Sequence, residues 1–186
     1  MKKTKITNNN FLKDKNYKLQ ASKGFTLIEL LLYVSIASII LLITSLFLST
    51  LLQSRIKNQT VAEVEQQGLQ VMQMITQTLH NADIINSPAQ GASAASLSLN
   101  TIVAVNNPTV FDLASGTIRT KEGAGAVVSL NNSRVTASDL TFVNLSRAST
   151  PGTIRIQFTL MHVNSEDRNE YSFAKIFIGS ATLRQP

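Results

Sequence analysis

The sequence predicts an α+β protein, in which a long N-terminal helix packs on a C-terminal domain of antiparallel β-sheet. Three observations support this fold class. An apolar run over residues 25–52 is long enough to cross a bilayer. A polar segment over residues 53–86 keeps one apolar stripe at helical spacing. From residue 87 to residue 186, apolar and polar residues alternate in short runs separated by turn residues.

Residues 1–24 are expected to form a cytoplasmic leader peptide. They contain seven lysines and one aspartate, which account for the whole formal net charge of +6. Lysines before an apolar run place the N-terminus in the cytoplasm by the positive-inside rule. The remainder of the chain is neutral, so its charge gives no support for bulk nucleic-acid binding. The chain has no cysteine, which excludes a disulfide, a thiolate metal site and a cysteine nucleophile.

The apolar run over residues 25–52 is interpreted as a transmembrane segment in a single-pass chain. Two alternatives stay open. A buried core helix of this length would be hard to cover in a chain of 186 residues. A cleaved secretory signal has a shorter apolar region and a small-x-small cleavage site, and no such pattern follows at Ser54-Arg55-Ile56-Lys57.

The helix is expected to continue past the apolar run. No proline occurs before Pro88, so nothing forces a break, and a helix over residues 25–80 is predicted. Asn86-Ser87-Pro88 is expected to end the helical region. Gly68 indicates a bend or a close contact with the sheet, and we favour the contact. The apolar stripe of the second half consists of Val61, Val64, Gly68, Val71, Ile75 and Leu79.

The C-terminal region is predicted to be a β-rich extracytoplasmic domain whose apolar face is covered by the striped helix. Residues 154–160 and 171–177 alternate with the same period and predict a hairpin with a charged loop. A further period-two run extends over residues 97–105. The other short runs are residues 110–114, 117–120, 127–130, 134–137 and 140–145.

The residues at the start of the apolar run carry the most specific signal. Gly24 is followed by Phe25-Thr26-Leu27-Ile28-Glu29 and then by uninterrupted apolar sequence. This opening, with a β-rich C-terminal region, resembles the type IV prepilins and pseudopilins. The resemblance implies a pilin-like fold, cleavage between Gly24 and Phe25 by a prepilin peptidase, and N-methylation of Phe25. It also implies assembly with other pilin or pseudopilin subunits on an inner-membrane platform into an extracytoplasmic filament.

Glu29 is the one charged residue in the apolar run, and such a carboxylate costs about 2.5–3.5 kcal/mol within a bilayer unless it has a partner. The α-amine that cleavage would create at Phe25 is mostly cationic at neutral pH. Glu29 is therefore expected to pair with its own amine or with that of a neighbouring subunit, which would set the axial register of assembly. The alternative is that Glu29 only extends to the cytoplasmic interface.

Several features of the sequence bear on the subtype of pilin or pseudopilin that the chain resembles. The segments "TIRTKEG", "VTASDLTFVNL" and "PGTIRIQFTL" resemble the J-type minor pseudopilin of type II secretion and the W-type minor pilin. The apolar half has no helix-bending proline, the chain has no cysteine, and the leader is long. These features favour a minor pilin or pseudopilin. A competence pseudopilin for DNA uptake and an uncleaved, membrane-anchored extracytoplasmic binding domain remain the alternatives.

No catalytic or cofactor-binding constellation is expected, and the chain is interpreted as a non-enzyme without metal or cofactor. His80 is predicted to cap the helix or to be solvated, and His162 to face solvent on a strand. Glu166, Asp167 and Glu170 could offer oxygen ligands to Ca²⁺, but Arg168 lies among them and favours a solvated loop. Residues 123–125 form a loop without the strand-to-helix context of a phosphate cradle.

Overall fold

The fold is known from a computed structural model that describes residues 24–184. The expected leader lies outside these residues except for Gly24. One helix, α1 (Leu27–His80), precedes nine strands, which confirms the predicted α+β class. The strands are β1 (Ala82–Ser87), β2 (Ser93–Ala94), β3 (Leu97–Thr101), β4 (Thr109–Ala114), β5 (Thr117–Glu122), β6 (Val127–Ser129), β7 (Val135–Asn144), β8 (Thr153–His162) and β9 (Ala174–Thr182).

The chain divides into two compact units, with the boundary between Leu46 and Phe47. In the first unit, the described part of α1 is apolar on all sides, and its side chains are solvent-exposed except for Glu29. The hydroxyls of Ser35, Ser38 and Thr44 donate to helix carbonyls four residues earlier, at 2.8–2.9 Å. Each hydroxyl is thus satisfied by its own helix, which suits an apolar medium. By length and composition, α1 can cross a membrane.

The second unit contains two antiparallel sheets, whereas the alternation pattern had suggested one. The five-stranded sheet has the order β1-β3-β4-β5-β6, and the four-stranded sheet has the order β2-β7-β8-β9. Side chains from both sheets and from the later part of α1 share one hydrophobic core. Two sheets arise because strand pairing joins segments far apart in sequence, and local periodicity does not report such pairing.

The apolar stripe of α1 is confirmed from Val64 onward, since Val64, Gly68, Val71, Ile75 and Leu79 are all buried. The stripe begins differently from the prediction. Thr60 is buried and Val61 is only half-buried. The Thr60 hydroxyl donates to the Ile56 carbonyl at 3.1 Å, which satisfies its polar group inside the core and lets it occupy the stripe.

Gly68 marks a close contact between α1 and β9, as predicted. A Cβ at Gly68 would overlap the ring of Phe177. On the neighbouring turn the relation is reversed, because a Cβ at Gly179 would lie 2.7 Å from the sulfur of Met72. Gly68 thus leaves room for the ring of Phe177, and Gly179 leaves room for the side chain of Met72. The backbones of α1 and β9 can therefore lie close together at both points.

The hairpin predicted for residues 154–160 and 171–177 is confirmed as β8–β9. Phe158 pairs with Phe177 in the strand register, and their rings stack with centroids 5.3 Å apart. The second strand starts later than the alternation suggested. Tyr171 lies in a 3-10 turn (Asn169–Tyr171), and β9 begins at Ala174.

Three predicted boundaries differ from the structure. The amphipathic segment expected over residues 53–86 is helical only as far as His80, because β-branched Ile84 and Ile85 pair with β3. The runs 134–137 and 140–145 form one strand, β7, with a register shift where Asp139 adopts φ 55°. The run 97–105 stops at Thr101, whose amide and carbonyl bind the side chain of Asn107.

Candidate processing and assembly site

The first turn of α1 brings together the residues that the sequence singled out. Thr26 is the N-cap, and its carbonyl accepts the first helical hydrogen bond, from the Leu30 amide at 3.1 Å. Leu27 and Ile28 follow as the first two helical positions, and Glu29 is the third. This places the Glu29 carboxylate beside the exposed amides of the helix start, where the helix dipole favours negative charge.

Thr26 and Glu29 form a reciprocal cap. The Glu29 amide donates to the Thr26 hydroxyl at 3.3 Å, and the Thr26 amide and hydroxyl both donate to Glu29 Oε2 at 3.4 Å. This is the capping-box arrangement, in which two unpaired donors of the first turn are satisfied. The sequence reasoning missed it because it sought a charged partner, although the Thr-x-x-Glu spacing was a sufficient signal.

Glu29 also differs from its neighbours in burial. Among residues 24–55, Glu29 alone is half-buried, and the others are exposed. The carboxylate folds back on Thr26, whereas the leucines and isoleucines around it extend outward. The described chain thus already supplies Glu29 with a partner before any new amine exists.

Gly24 and Phe25 precede the helix and are accessible. Gly24 is exposed, and among residues 24–184 no heavy atom lies within 4 Å of where its Cβ would be. Phe25 is 76% exposed, and its ring meets Tyr33 edge-on with centroids 6.0 Å apart. The described part of the chain therefore leaves the peptide bond between Gly24 and Phe25 uncovered on the side of Gly24.

Comparison with protein families supplies a further observation on this segment. A model described as the prokaryotic N-terminal methylation motif matches residues 19–45. The chain carries a prepilin-type N-terminal motif. That motif and the long apolar helix together support anchoring in a membrane. No curated protein and no solved structure matches the chain.

His162 does not face solvent as expected, and the prediction for it is wrong. Its side chain is 11% exposed and lies against α1, with Nε2 3.7 Å from Glu63 Oε2. Its ring stacks on Tyr171 at 5.4 Å, and Nδ1 lies 2.9 Å from the Val163 carbonyl. The burial arises because β8 ends where the hairpin loop folds back toward α1. His80, in contrast, ends α1 and is exposed.

The charged hairpin loop holds an ion pair. Arg168 donates to Glu170 at 3.3 Å, and Asp167 adopts φ 51° in the turn. A backbone hydrogen bond and the bond from Arg168 hold the pKa of Glu170 below its ordinary value. Within residues 24–184, no group of three or more His, Cys, Asp or Glu side chains is placed to hold a metal ion.

Proposed function

We propose that this chain is a minor pilin or pseudopilin, a structural subunit of a type IV pilus or of a type II secretion-like filament. The observation that carries the proposal is the methylation motif over residues 19–45, at the start of a long apolar helix. The α+β architecture that follows it is consistent with a pilin-like subunit. A filament subunit needs no catalytic centre, in agreement with the non-enzyme interpretation.

Each segment of the chain has its own proposed role. Residues 1–24 are the leader, which stays in the cytoplasm and is removed. Residues 25–52 hold the subunit in the inner membrane and later form the assembly part of the helix. The amphipathic helix over residues 53–80, with the β-rich domain that follows, lies outside the cytoplasmic membrane.

Cleavage between Gly24 and Phe25 by a prepilin peptidase is the first proposed step. The absence of a side chain at Gly24 leaves its backbone open to a membrane protease, and the space around it is empty among the described residues. The new α-amine of Phe25 would then be methylated. Methylation keeps a cationic amine, so Phe25 would enter assembly with a positive charge beside the apolar helix start.

Glu29 is the proposed partner of that charge. Its present bonds to Thr26 are long, at 3.4 Å, and come from uncharged donors. A charge-assisted bond to an amine is shorter and about twice as strong as a neutral one. An amine from a neighbouring subunit would reach Glu29 only at one axial stagger, so the pair would set the register of the filament.

The test is intact mass and N-terminal sequencing of the protein from its host membrane. Wild type is expected to start at N-methylated Phe25. Gly24→Asp is expected to stay full-length, because a charged side chain blocks the approach of the peptidase, while Gly24→Ala serves as the small-residue control and is cut. Wild-type chains that start at Met1 would overturn the proposal and leave the uncleaved, anchored binding domain.

The assembly role of Glu29 is tested separately. Glu29→Gln is expected to be cleaved and retained in the membrane but absent from sheared filaments, since the amide cannot neutralise the amine. Asp83→Asn, which removes an exposed carboxylate on β1, is the matched control and assembles. Equal incorporation of both variants would refute the register role. Loss of DNA uptake with intact secretion in a strain lacking the protein would instead identify the competence pseudopilin.

A further inference from the structure

A groove at one end of the five-stranded sheet has the features of a binding site. It consists of two cavities, of about 410 Å³ and 340 Å³, that share Asn106 and Glu122. We call it the Glu122 groove. The larger cavity is lined by β5, β6 and the loop between them, together with Val105. The smaller cavity is lined by residues 101–103, together with Thr78, Asn81 and Thr109. It lies wholly within the second unit and involves none of the residues of the proposed processing site.

Thr120 supplies the first indication that the groove has a binding role. It lines the larger cavity, is 7% exposed, and its hydroxyl makes no hydrogen bond within the described part of the chain. The other buried polar side chains for which bonds are seen, such as Asn131 and Asn144, bind backbone groups. A buried hydroxyl without a partner is unfavourable, and a change of the Thr120 rotamer would turn it toward a ligand in the cavity.

Glu122 supplies the second sign. It projects from the same face of β5 as Thr120, two residues further along the strand. In residues 24–184, no lysine, arginine or histidine lies within 4 Å of its carboxylate. By contrast, Glu63, Glu65 and Glu170 each pair with a cation. Glu122 lines both cavities, so an occupant of either would lie beside it.

Four exposed apolar side chains lie along the groove among polar residues. Ile102, Val103, Val105 and Val128 each have more than half of their surface accessible. The groove is held in shape by Gly123, which adopts φ 49° and packs against the Val105 carbonyl so closely that a Cβ would overlap it. Exposed apolar side chains gathered around one carboxylate are typical of a protein interaction site.

We propose that the Glu122 groove binds an extended segment of a partner protein that presents an arginine or lysine between apolar side chains. The cation pairs with Glu122, the aliphatic stem and flanking side chains cover Val105 and Val128, and a polar group of the segment bonds the Thr120 hydroxyl. β6 is an edge strand of its sheet, and its Val128 lines the groove, which favours an extended peptide. Phosphate-bearing partners are disfavoured by the unpaired carboxylate.

The experiment titrates the full-length protein, in zwitterionic lipid nanodiscs, with a short synthetic peptide of alternating valine and serine around a central arginine. Methyl resonances of Val105 and Val128 are followed by NMR, and those of Ile176 and Val163, exposed elsewhere, serve as the internal control. Only the groove resonances are expected to shift. A peptide with citrulline in place of arginine keeps the shape without the charge and is expected to bind about fivefold more weakly.

Two variants separate the contributions of Glu122 and Thr120 to peptide binding. Glu122→Gln is expected to abolish the preference for arginine over citrulline and to remove the salt dependence of binding. Thr120→Val is expected to weaken both peptides equally, while the protein itself unfolds at a higher urea concentration, because the unpartnered hydroxyl is gone. Since the second variant is more stable, weaker binding by it does not reflect misfolding.

Three results would overturn the proposal. Arginine and citrulline peptides could bind wild type equally, which would remove the role of Glu122. Shifts of the same size at Ile176 and Val163 would show general apolar adsorption. Concentration-dependent changes at Val105 and Val128 without peptide would assign the groove to a second copy of this chain instead of a partner.

Discussion

Two parts of the same helix solve opposite problems. Up to Leu46, α1 exposes apolar side chains on every side and satisfies the hydroxyls of Ser35, Ser38 and Thr44 on its own backbone. From Thr60 to Leu79, it buries one stripe against the two sheets, and most residues on its other faces are polar. The difference shows that one continuous helix can suit two environments. Helix formation depends on backbone hydrogen bonds, whereas the side chains determine which environment each part of the helix favours.

The largest expected effect comes from the buried part. Phe158→Ala removes a fully buried ring that stacks on Phe177, and it is expected to lower the free energy of unfolding of the second unit by about 3–5 kcal/mol. Leu41→Ala, at a position 69% exposed, is the control and leaves it unchanged. Urea unfolding of the full chain in detergent, followed by circular dichroism, measures both. Equal losses would mean that the apolar half also supports the domain.

The second prediction compares the effect of a lysine placed in each of the two parts of α1. Leu41→Lys is expected to make membrane integration less favourable by about 3 kcal/mol, because a lysine near the bilayer centre is poorly solvated. Gln70→Lys, on the exposed side of the later part of α1, should have no effect on integration. The measurement is the fraction of each variant resistant to alkaline extraction from membranes. If Leu41→Lys stayed fully integrated, the assignment of residues 25–52 as the membrane segment would be wrong.

Gly68 tests how closely the second part of α1 must approach the sheet. Gly68→Ala adds helix propensity, but its Cβ overlaps Phe177, and we expect a net destabilisation of about 1–2 kcal/mol. Leu69→Ala, one position away and 64% exposed, is the matched control. Urea unfolding distinguishes them. A stabilised Gly68→Ala would indicate that Phe177 moves aside without penalty.

Thr26 tests the start of the apolar part. Thr26→Ala removes the cap on Glu29 and is expected to weaken the first turn by about 1 kcal/mol. Hydrogen exchange of the amides of Leu27–Leu30 in nanodiscs should become faster, while exchange over residues 60–79 stays the same. Unchanged exchange at the first turn would show that the carboxylate finds another partner.

The smallest effect concerns the charged hairpin loop. Because the pKa of Glu170 is lowered in the folded protein, its contribution to stability is present above the ordinary glutamate pKa and is lost as the pH falls through the lowered value. In Arg168→Gln that pKa should rise toward its ordinary value. Carboxyl ¹³C titration by NMR measures this directly. If the pKa of Glu170 were the same in the variant as in wild type, the backbone hydrogen bond alone would account for its lowering.

The sequence predicted those elements whose signal is local. The stripe from Val64 to Leu79 and the β8–β9 hairpin both follow from a period that neighbouring residues maintain. The division into two sheets did not follow, because β2 has only two residues and exists through its pairing with β7. Likewise, Ile84 and Ile85 could not be assigned to a strand without knowing that β3 lies beside them.

The candidate site was predictable in part for the same reason. Gly24, Phe25 and Glu29 lie within six consecutive residues, and such a short motif can be recognised from the local sequence. The burial of His162 against Glu63 depends on how a loop about a hundred positions away folds back on α1, and no pattern near either residue encodes it. The Glu122 groove was equally hidden, since its lining comes from the end of α1, from β3 to β6 and from the loops between them.

The cap between Thr26 and Glu29 has a consequence for reversibility. Under the proposed function, the carboxylate exchanges one partner for another on entering the filament and never passes through a state in which it stands alone. The free-energy difference between waiting and assembled subunits is then the difference between two hydrogen-bonded states. Under the same proposal, such an exchange would let a subunit return to the membrane with its Glu29 carboxylate still hydrogen-bonded. The motif would then suit a filament that both assembles and disassembles.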